Sequence, residues 1–550
     1  MPKPVSDLRT TNSPLDVHKY SNIQGLQEQA QKHWGLRRLQ PFFPSIEKLF
    51  KMDVRLPHHY GIKTSVPIQT ITGDSSVYAG SSETSVHLKK TMLYSAYRVM
   101  HGEYSGTGLP NVGEVASEPL RIQSPYNAGY VGSLASLVLS ESGSQHFPRV
   151  YGVFSGVAER HVLDISDDYE DLCDRPWFSQ NIGHFFELRL KKPEVPVLQF
   201  ADVPSEDIDL GAMELEPIPT PPNPILPANY SDAEDDEHNE DSGDVDSTDD
   251  CSTDYIFNIR SCSGDSSSDD DDDEDDDDEH GGGSIGFSEP EEDEPFAHAI
   301  FKDAPIQVTV MEKCEGTMYK LFKENPELHK RCAWMAQVIF ALAFAQRSFG
   351  FVHNDLHVMN VMYVPTEKEY FYYGLSGKTY RVPTYGKLVK IIDFDRATFS
   401  VKLPKMKESK FFMSDQFHQE EEAGGQYNIA PFYNPKYPEV KPNPSFDLVR
   451  LATSMFWDCF PNGPSEEYTT NPLYTMFMQW LTLPDGRSIL FKDLSTGDLS
   501  ERYRGFQLYK AISRYCRDTA VPRKQVEKFG TPYLFEGKPP SGESSLFIEP

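Results

Sequence analysis

The chain has 550 residues and a formal net charge of -32, from 52 Lys and Arg against 84 Asp and Glu. Residues 231–294 alone hold 29 of the acidic residues and a single basic one, Arg260, so the remainder stands close to neutrality. This is the composition of an ordinary globular protein carrying an acidic segment, and it lacks the basic face that direct nucleic-acid binding would need.

No apolar run reaches the roughly 18 residues of a membrane span. The N-terminus, MPKPVSDLRTTNSPLD, lacks the apolar core of a secretory signal. Seven cysteines are scattered without a C-x-x-C pair. That argues against a disulfide framework or a structural zinc, and for a reducing, intracellular setting.

In chain order, residues 1–60 read as an N-terminal extension with a short helix at 46–50, capped by Ser45 and carrying Ile46, Leu49 and Phe50 at helical spacing. From 65 to 100 the pattern is β: SVPIQTI, a turn at 72–76, VYAG, a second turn and SVHLKK. Residues 127–140 place Tyr130, Leu134, Leu137 and Val138 at helical spacing, and HFPRVYGVFSG follows as a strand. An antiparallel meander interrupted by one helix is therefore expected over about 60–156. Nine prolines between 193 and 227 open a segment that passes into the acidic run. Its like charge and few apolar groups predict a disordered insertion over 191–299.

Order is expected to resume with the strand IQVTVM at 306–311 and a long helix at 328–349. Strands at 361–364 and 388–392 flank a Tyr-rich hairpin, and helices follow at 446–460, 473–481 and 503–517. The class is α+β.

After the long helix comes GFVHNDLHVMNVMYV, with Asp355 and Asn360 five residues apart on a loop closed by a strand. A second acidic pair, Asp393 and Asp395, follows the strand KLVKII in IIDFDRATF. Phosphoryl transfer needs an Asp that orients the attacking hydroxyl and accepts its proton, and oxygen ligands for a magnesium ion on the nucleotide phosphates. The order H-x-D-x-x-x-x-N, hairpin, D-F-x resembles the catalytic loop and metal motif of the protein-kinase fold. On that match Asp355 is the base, and Asn360 and Asp393 are the metal ligands.

Other segments take places by the same match. Met311-Glu312-Lys313-Cys314 resembles the hinge between kinase lobes, with Met311 as gatekeeper and the Glu312 carbonyl and Cys314 amide on the adenine. Val86-His87-Leu88-Lys89 stands where the phosphate-anchoring lysine belongs, with Lys90 the competing candidate, since strand alternation decides which one points inward. The glycine loop is reduced to TGDSSVYAG, leaving Gly73 and Gly80. Asp447 resembles the helix aspartate under the catalytic loop, and His353 and Phe394 resemble stacked spine residues.

The phrases GFVHNDLHVMNVMY, VPTYGKLVKIIDFDRA, EEAGGQYN and NPSFDLVRLA are together similar to the serine/threonine protein-kinase-like proteins of large nucleocytoplasmic DNA viruses. That resemblance implies a two-lobed fold, ATP with Mg²⁺ or Mn²⁺, transfer to Ser or Thr of protein substrates, and a virion or host-cytoplasm location. The implied layout is a first N-lobe part at 61–190, the insertion, a last strand and hinge at 300–314, a C-lobe at 315–525 and a tail at 526–550.

The departures keep other readings open. Asn354 replaces the usual Arg, and His357 replaces the loop lysine, as in kinase-like phosphotransferases of small molecules. Asp395 replaces the last Gly of D-F-G. Residues 128–140, the expected αC helix, contain no acid to pair with the lysine. Glu118, Glu141 and Asn127 are the nearby substitutes. The alternatives are a small-molecule phosphotransferase, or a catalytically weak pseudokinase acting as a virion scaffold. The acidic run is expected to stay solvated or to attract a basic protein partner.

Overall fold

A computed structural model describes residues 15–41, 59–190 and 296–548, apart from 104–108, 110–123, 125, 403–406, 420, 422, 541, 542 and 544. The expected helix at 46–50, Glu118 and nearly all of the expected insertion lie outside these residues. The described residues belong to one of the chain's two units, Met1–Lys191 with Thr253–Pro550.

The N-terminal part is a sheet. Strand β1 (Asp16–Lys19), helix α1 (Ile23–Trp34), β2 (Leu36–Pro41) and β3 (Tyr60–Lys63) precede the meander β4 (Ile68–Gly73), β5 (Ser76–Ala79) and β6 (Ser82–Met92). After a short helix at Ala96–His101 come α2 (Ala128–Ser140), β7 (Val150–Asp164), β8 (Glu187–Leu190) and β9 (Ala297–Glu312). The sheet order is β2-β7-β9-β6-β5-β4, with β8 also on β9. Residues 36–41, read in the sequence as extension, thus add a strand beside β7. Their pattern was hard to see because Arg38 takes a left-handed backbone at φ 55° and a bulge interrupts the pairing there.

Strands β7 and β9 run longer than their apolar patterns. Their antiparallel register continues from Val150↔Met311 to Asp164↔His298, carrying the charged pair of positions Arg160↔Lys302 within the ladder. Backbone pairing across the whole length overrides the local loss of hydrophobic alternation. β9 consequently begins at Ala297, inside the last residues of the expected insertion.

Helix α2 is anchored at its start. Asn127 accepts the Gly129 amide at 3.0 Å as N-cap and donates from Nδ2 to the Leu93 carbonyl at 2.8 Å. Ser133 Oγ lies 2.8 Å from Thr309 Oγ1 on β9, and the Ala128 amide donates to Asp415 Oδ1 at 3.0 Å. The helix is therefore tied to the sheet on one side and to a downstream loop on the other.

The C-terminal part begins with β10 (Gly316–Thr317), α3 (Met318–Glu324) and α4 (Leu328–Phe349), the last on the span its periodicity predicts. α4 is buried over Ala333–Ala345 and stops at Gly350, whose φ of 59° suits glycine. Phe340 stacks on Tyr373 at 4.1 Å between ring centroids, joining α4 to the Tyr-rich hairpin. That hairpin is β12 (Tyr370–Leu375) with β13 (Lys378–Pro383), set between β11 (Val361–Pro365) and β14 (Lys387–Ile391). Helices α5 (Phe446–Cys459), α6 (Pro472–Leu481), α7 (Phe506–Tyr515) and α8 (Pro522–Phe529) complete this part.

Candidate active site

The antiparallel pairing of β11 with β14 creates the site. Val361 pairs with Ile391, so the residue entering β11 lies beside the residues leaving β14. Asn360 and Asp393 occupy those positions, and the Ile392 amide donates to the Asn360 carbonyl at 3.0 Å. Two motifs more than thirty residues apart are thereby sewn to one end of one strand pair.

From the sheet, Lys89 reaches the same place. Its Nζ lies 2.5 Å from Asp393 Oδ1 and 2.9 Å from Asp395 Oδ1. Lys89 pairs with Thr309 in the β6–β9 ladder. Lys90 alternates to the other face, where Asp74 is the acid that acts on it. Burial works against the charge on Lys89, but Asp393 and Asp395 outweigh it and hold the ammonium well above its ordinary range.

The loop that carries Asp355 is fixed from beneath. Asp447, fully buried on α5, accepts the His353 amide on Oδ2 and the Asn354 amide on Oδ1, each at 3.0 Å. His353 Nδ1 accepts the Asp355 amide at 3.3 Å, so its Nε2 carries the hydrogen donated to the Ile392 carbonyl at 2.7 Å. The His353 ring meets Phe394 edge-on at 5.6 Å, and Phe394 in turn meets Phe147 at 6.1 Å.

Asp355 is held by groups that its own motif does not contain. The Tyr509 hydroxyl of α7 donates to its Oδ1 at 2.7 Å, and Arg396 Nη1 lies 3.7 Å from Oδ2. Arg450 of α5 and Arg396 both lie over the Tyr509 ring. Burial raises the Asp355 carboxyl, but Arg396, His357, Arg450 and the Tyr509 hydroxyl together bring it down to about 2. Asp355 is thus a charged, oriented acceptor. Sequence spacing carried no signal for Tyr509 or Arg450, which arrive from separate helices.

Asn360 uses both hydrogens of Nδ2, on the Asp355 carbonyl and on His357 Nε2, each at 3.0 Å. Its Oδ1 is the acceptor atom of that amide. His357 is pushed down to about 4 by burial, so its ring is neutral and Nε2 can accept. Asp393 keeps 46% of its side-chain surface open. An amide oxygen beside an accessible carboxylate is a hard-oxygen donor set, which fits a Mg²⁺ ion that shares its remaining positions with phosphates and water. Among the described residues no group of three or more His, Cys, Asp or Glu could hold a metal ion.

The remaining expected residues have other surroundings. Met311 is buried in β9 opposite His87 and Val150. Glu312 ends that strand, with its carboxylate on Lys390 Nζ at 2.7 Å and its amide on the Arg149 carbonyl at 2.8 Å. Cys314 is half-buried, and burial pushes its thiol up to about 11. Gly73 sits at the β4–β5 turn, its carbonyl accepting Trp34 Nε1 at 3.3 Å.

Neither of the two described substitutes for a helix acid, Glu141 and Asn127, partners Lys89. Glu141 accepts the amide and hydroxyl of Ser65, and Asn127 is engaged as the cap of α2. The partners of Lys89 are the two loop aspartates, Asp393 and Asp395.

The fold, a mixed α+β arrangement with a curled sheet, and the site are compatible with a kinase-like protein. No family model matches the chain. Over 58 residues, 10% of the chain, it is 43% identical to the serine/threonine-protein kinase haspin of Mus musculus and 41% identical to that of Bos taurus. Over 70 residues, 12% of the chain, it is 36% identical to an uncharacterized protein of Caenorhabditis elegans. The chain spans 8% and 7% of the two haspins and 24% of the worm protein. These short matches point to kinase-like character and leave most of the chain uncovered. No helix among the described residues is long and apolar enough to cross a membrane.

Proposed function

We propose that the chain is a two-lobed protein kinase that moves the γ-phosphoryl group of ATP to Ser or Thr of protein substrates. The observation that carries this reading is the convergence of four residues: the β11–β14 pairing sets Asn360 beside Asp393, Lys89 reaches Asp393 from β6, and Asp355 is hydrogen-bonded to Asn360. A bound Mg²⁺ would neutralise charge developing on the phosphates. Asn360 Oδ1 and the open carboxylate of Asp393 would hold it, while Lys89 would anchor the α and β phosphates. Asp355 would orient the acceptor hydroxyl and take its proton. Met311, Glu312 and Cys314 would line the adenine end, and Gly73 would cover the phosphates from the β4–β5 turn.

A viral source, and with it a virion or host-cytoplasm location, belongs to this proposal on the resemblance of the quoted phrases. The acidic run at 231–294 would attract a basic protein partner by its charge.

The test is transfer from γ-labelled ATP to a mixed protein pool and, separately, to small alcohols. Mg²⁺-dependent label on protein Ser or Thr, abolished by Asp355→Ala, is the expected result. Label only on small alcohols would move the function to a small-molecule phosphotransferase. No transfer alongside intact nucleotide binding would leave a pseudokinase.

A further inference from the structure

We propose that Asp395 is the standing carboxylate partner of Lys89, replacing the acid that a protein kinase carries on its αC helix. The inference rests on the kinase reading above and deepens it by assigning a positioning residue. In that fold the lysine must be paired with a helix glutamate while the first aspartate of the D-F-G run serves the metal. Here α2 offers no acid, and Asn127 and Glu141 at its ends are engaged elsewhere.

Both aspartates reach Lys89 Nζ, Asp393 Oδ1 at 2.5 Å and Asp395 Oδ1 at 2.9 Å, and their surroundings separate them. Asp395 Oδ1 lies 2.9 Å from Lys89 Nζ, and its Oδ2 accepts from Thr91 Oγ1 at 3.3 Å. Lys89 and Thr91 are alternate residues of β6, so one face of that strand holds the carboxylate at both oxygens. Asp395 has 19% of its side chain exposed against 46% for Asp393. The more open carboxylate is the one placed to take a cation. The covered one keeps the lysine.

Helix α2 is cut to fit this arrangement. A Cβ on Gly132 would stand 1.9 Å from Asp395 Oδ1 and 3.1 Å from its Cα. Gly132 lies in mid-helix and is not among the glycines of positive φ, so backbone freedom does not explain it. A mid-helix glycine is destabilising relative to alanine, and what it supplies here is room for the Asp395 carboxylate. The absent helix acid, the glycine and the aspartate in the D-F-G glycine position are therefore one exchange. The lysine's partner moves from the helix to the metal loop, so a swing of α2 would not by itself break the pair.

The test compares wild type with Asp395→Asn and two doubles, Asp395→Gly/Gly132→Glu and Asp395→Gly/Gly132→Gln. The readouts are the Kd for Mg·ATP by calorimetry, the split between kcat and KM, and a melting curve for each protein. Losing one charged hydrogen-bond partner should weaken Mg·ATP binding about 10–100-fold in Asp395→Asn. The Glu double should recover most of that loss by restoring a helix acid. The Gln double, which fills the same space without charge, should not.

Wild-type affinity and turnover in Asp395→Asn, or equal behaviour of the two doubles, would overturn the pairing and leave the kinase reading standing. Should the doubles lose their melting transition, the nearly isosteric Asn variant decides alone. A wild-type protein that does not bind Mg·ATP overturns the kinase reading, and the pairing falls with it.

Discussion

Tyr509 donates its hydroxyl hydrogen to Asp355 Oδ1 across 2.7 Å, joining residues 154 positions apart. One oxygen of the candidate base is thereby fixed by α7, and Oδ2 is left to face an incoming hydroxyl with Arg396 at 3.7 Å. Arg396 and Arg450 both lie over the tyrosine ring, so two cations help to hold it.

Tyr509→Phe should therefore lower kcat about 10-fold, the scale of a hydrogen bond to a charged group, with the Kd for Mg·ATP unchanged. Steady-state kinetics with calorimetry separate these effects. A Tyr509→Phe protein with raised kcat would show that the hydroxyl blocks the acceptor position and does not orient the base.

Asn354 predicts independence from loop phosphorylation. Its Nδ2 faces the Val352 and Arg396 carbonyls and Thr398 Oγ1, and its Oδ1 accepts the Tyr427 hydroxyl at 2.6 Å. This buried network is neutral and already joins the loop of Asp355 to the segment after Asp395. An arginine at that position would wait for a phosphate, whereas Asn354 offers no charge for one. Phosphatase-treated and untreated protein should give the same kcat/KM in a transfer assay. A loss of activity on dephosphorylation, restored by rephosphorylation, would contradict this.

His146 predicts part of the acid limb of stability. It is fully buried, with Nδ1 2.9 Å from the Val389 carbonyl and Nε2 2.7 Å from the Tyr373 hydroxyl. The carbonyl can only accept, so Nδ1 donates and Nε2 accepts from the tyrosine. Burial pushes this ring down to about 4 from its ordinary 6.5, with Lys390 adding to the effect. The unfolded chain thus binds the proton first as pH falls, and the stability present above 6.5 is lost on the way down to about 4. One such group accounts for about 3 kcal/mol over that window. Urea unfolding at pH 7 and pH 4.5 should show a smaller difference for His146→Phe than for wild type. Equal differences would assign the acid limb to other groups.

How far the chain could be read in advance varied with the source of each contact. α4 and the strand pair β11–β14 were legible because unbroken apolar patterns mark segments buried within one part of the fold. The placement of Asp355, Asn360 and Asp393 at the ends of buried segments was legible because each follows such a segment at short range. The choice of Lys89 over Lys90 required the β6–β9 register, which no local pattern contains. In the sequence Asp395 reads only as a replaced glycine, and its contact with Lys89 arises from tertiary packing. Its role depends on Gly132, a residue whose contribution is an empty space. Tyr509 and Arg450 come from α7 and α5, and only tertiary packing brings them to the catalytic loop.

The shared cleft is tested most directly by thermal unfolding of wild type and Asp393→Asn with ATP, in the presence and absence of Mg²⁺. A ligand that binds only the folded state at 100 times its Kd adds about 2.7 kcal/mol of stability. Wild type should show an upward shift in Tm with ATP that grows when Mg²⁺ is added, and Asp393→Asn should lose the Mg²⁺-dependent part. A wild-type Tm unmoved by ATP and Mg²⁺ at millimolar concentration would contradict a nucleotide site built from Lys89, Asn360 and Asp393.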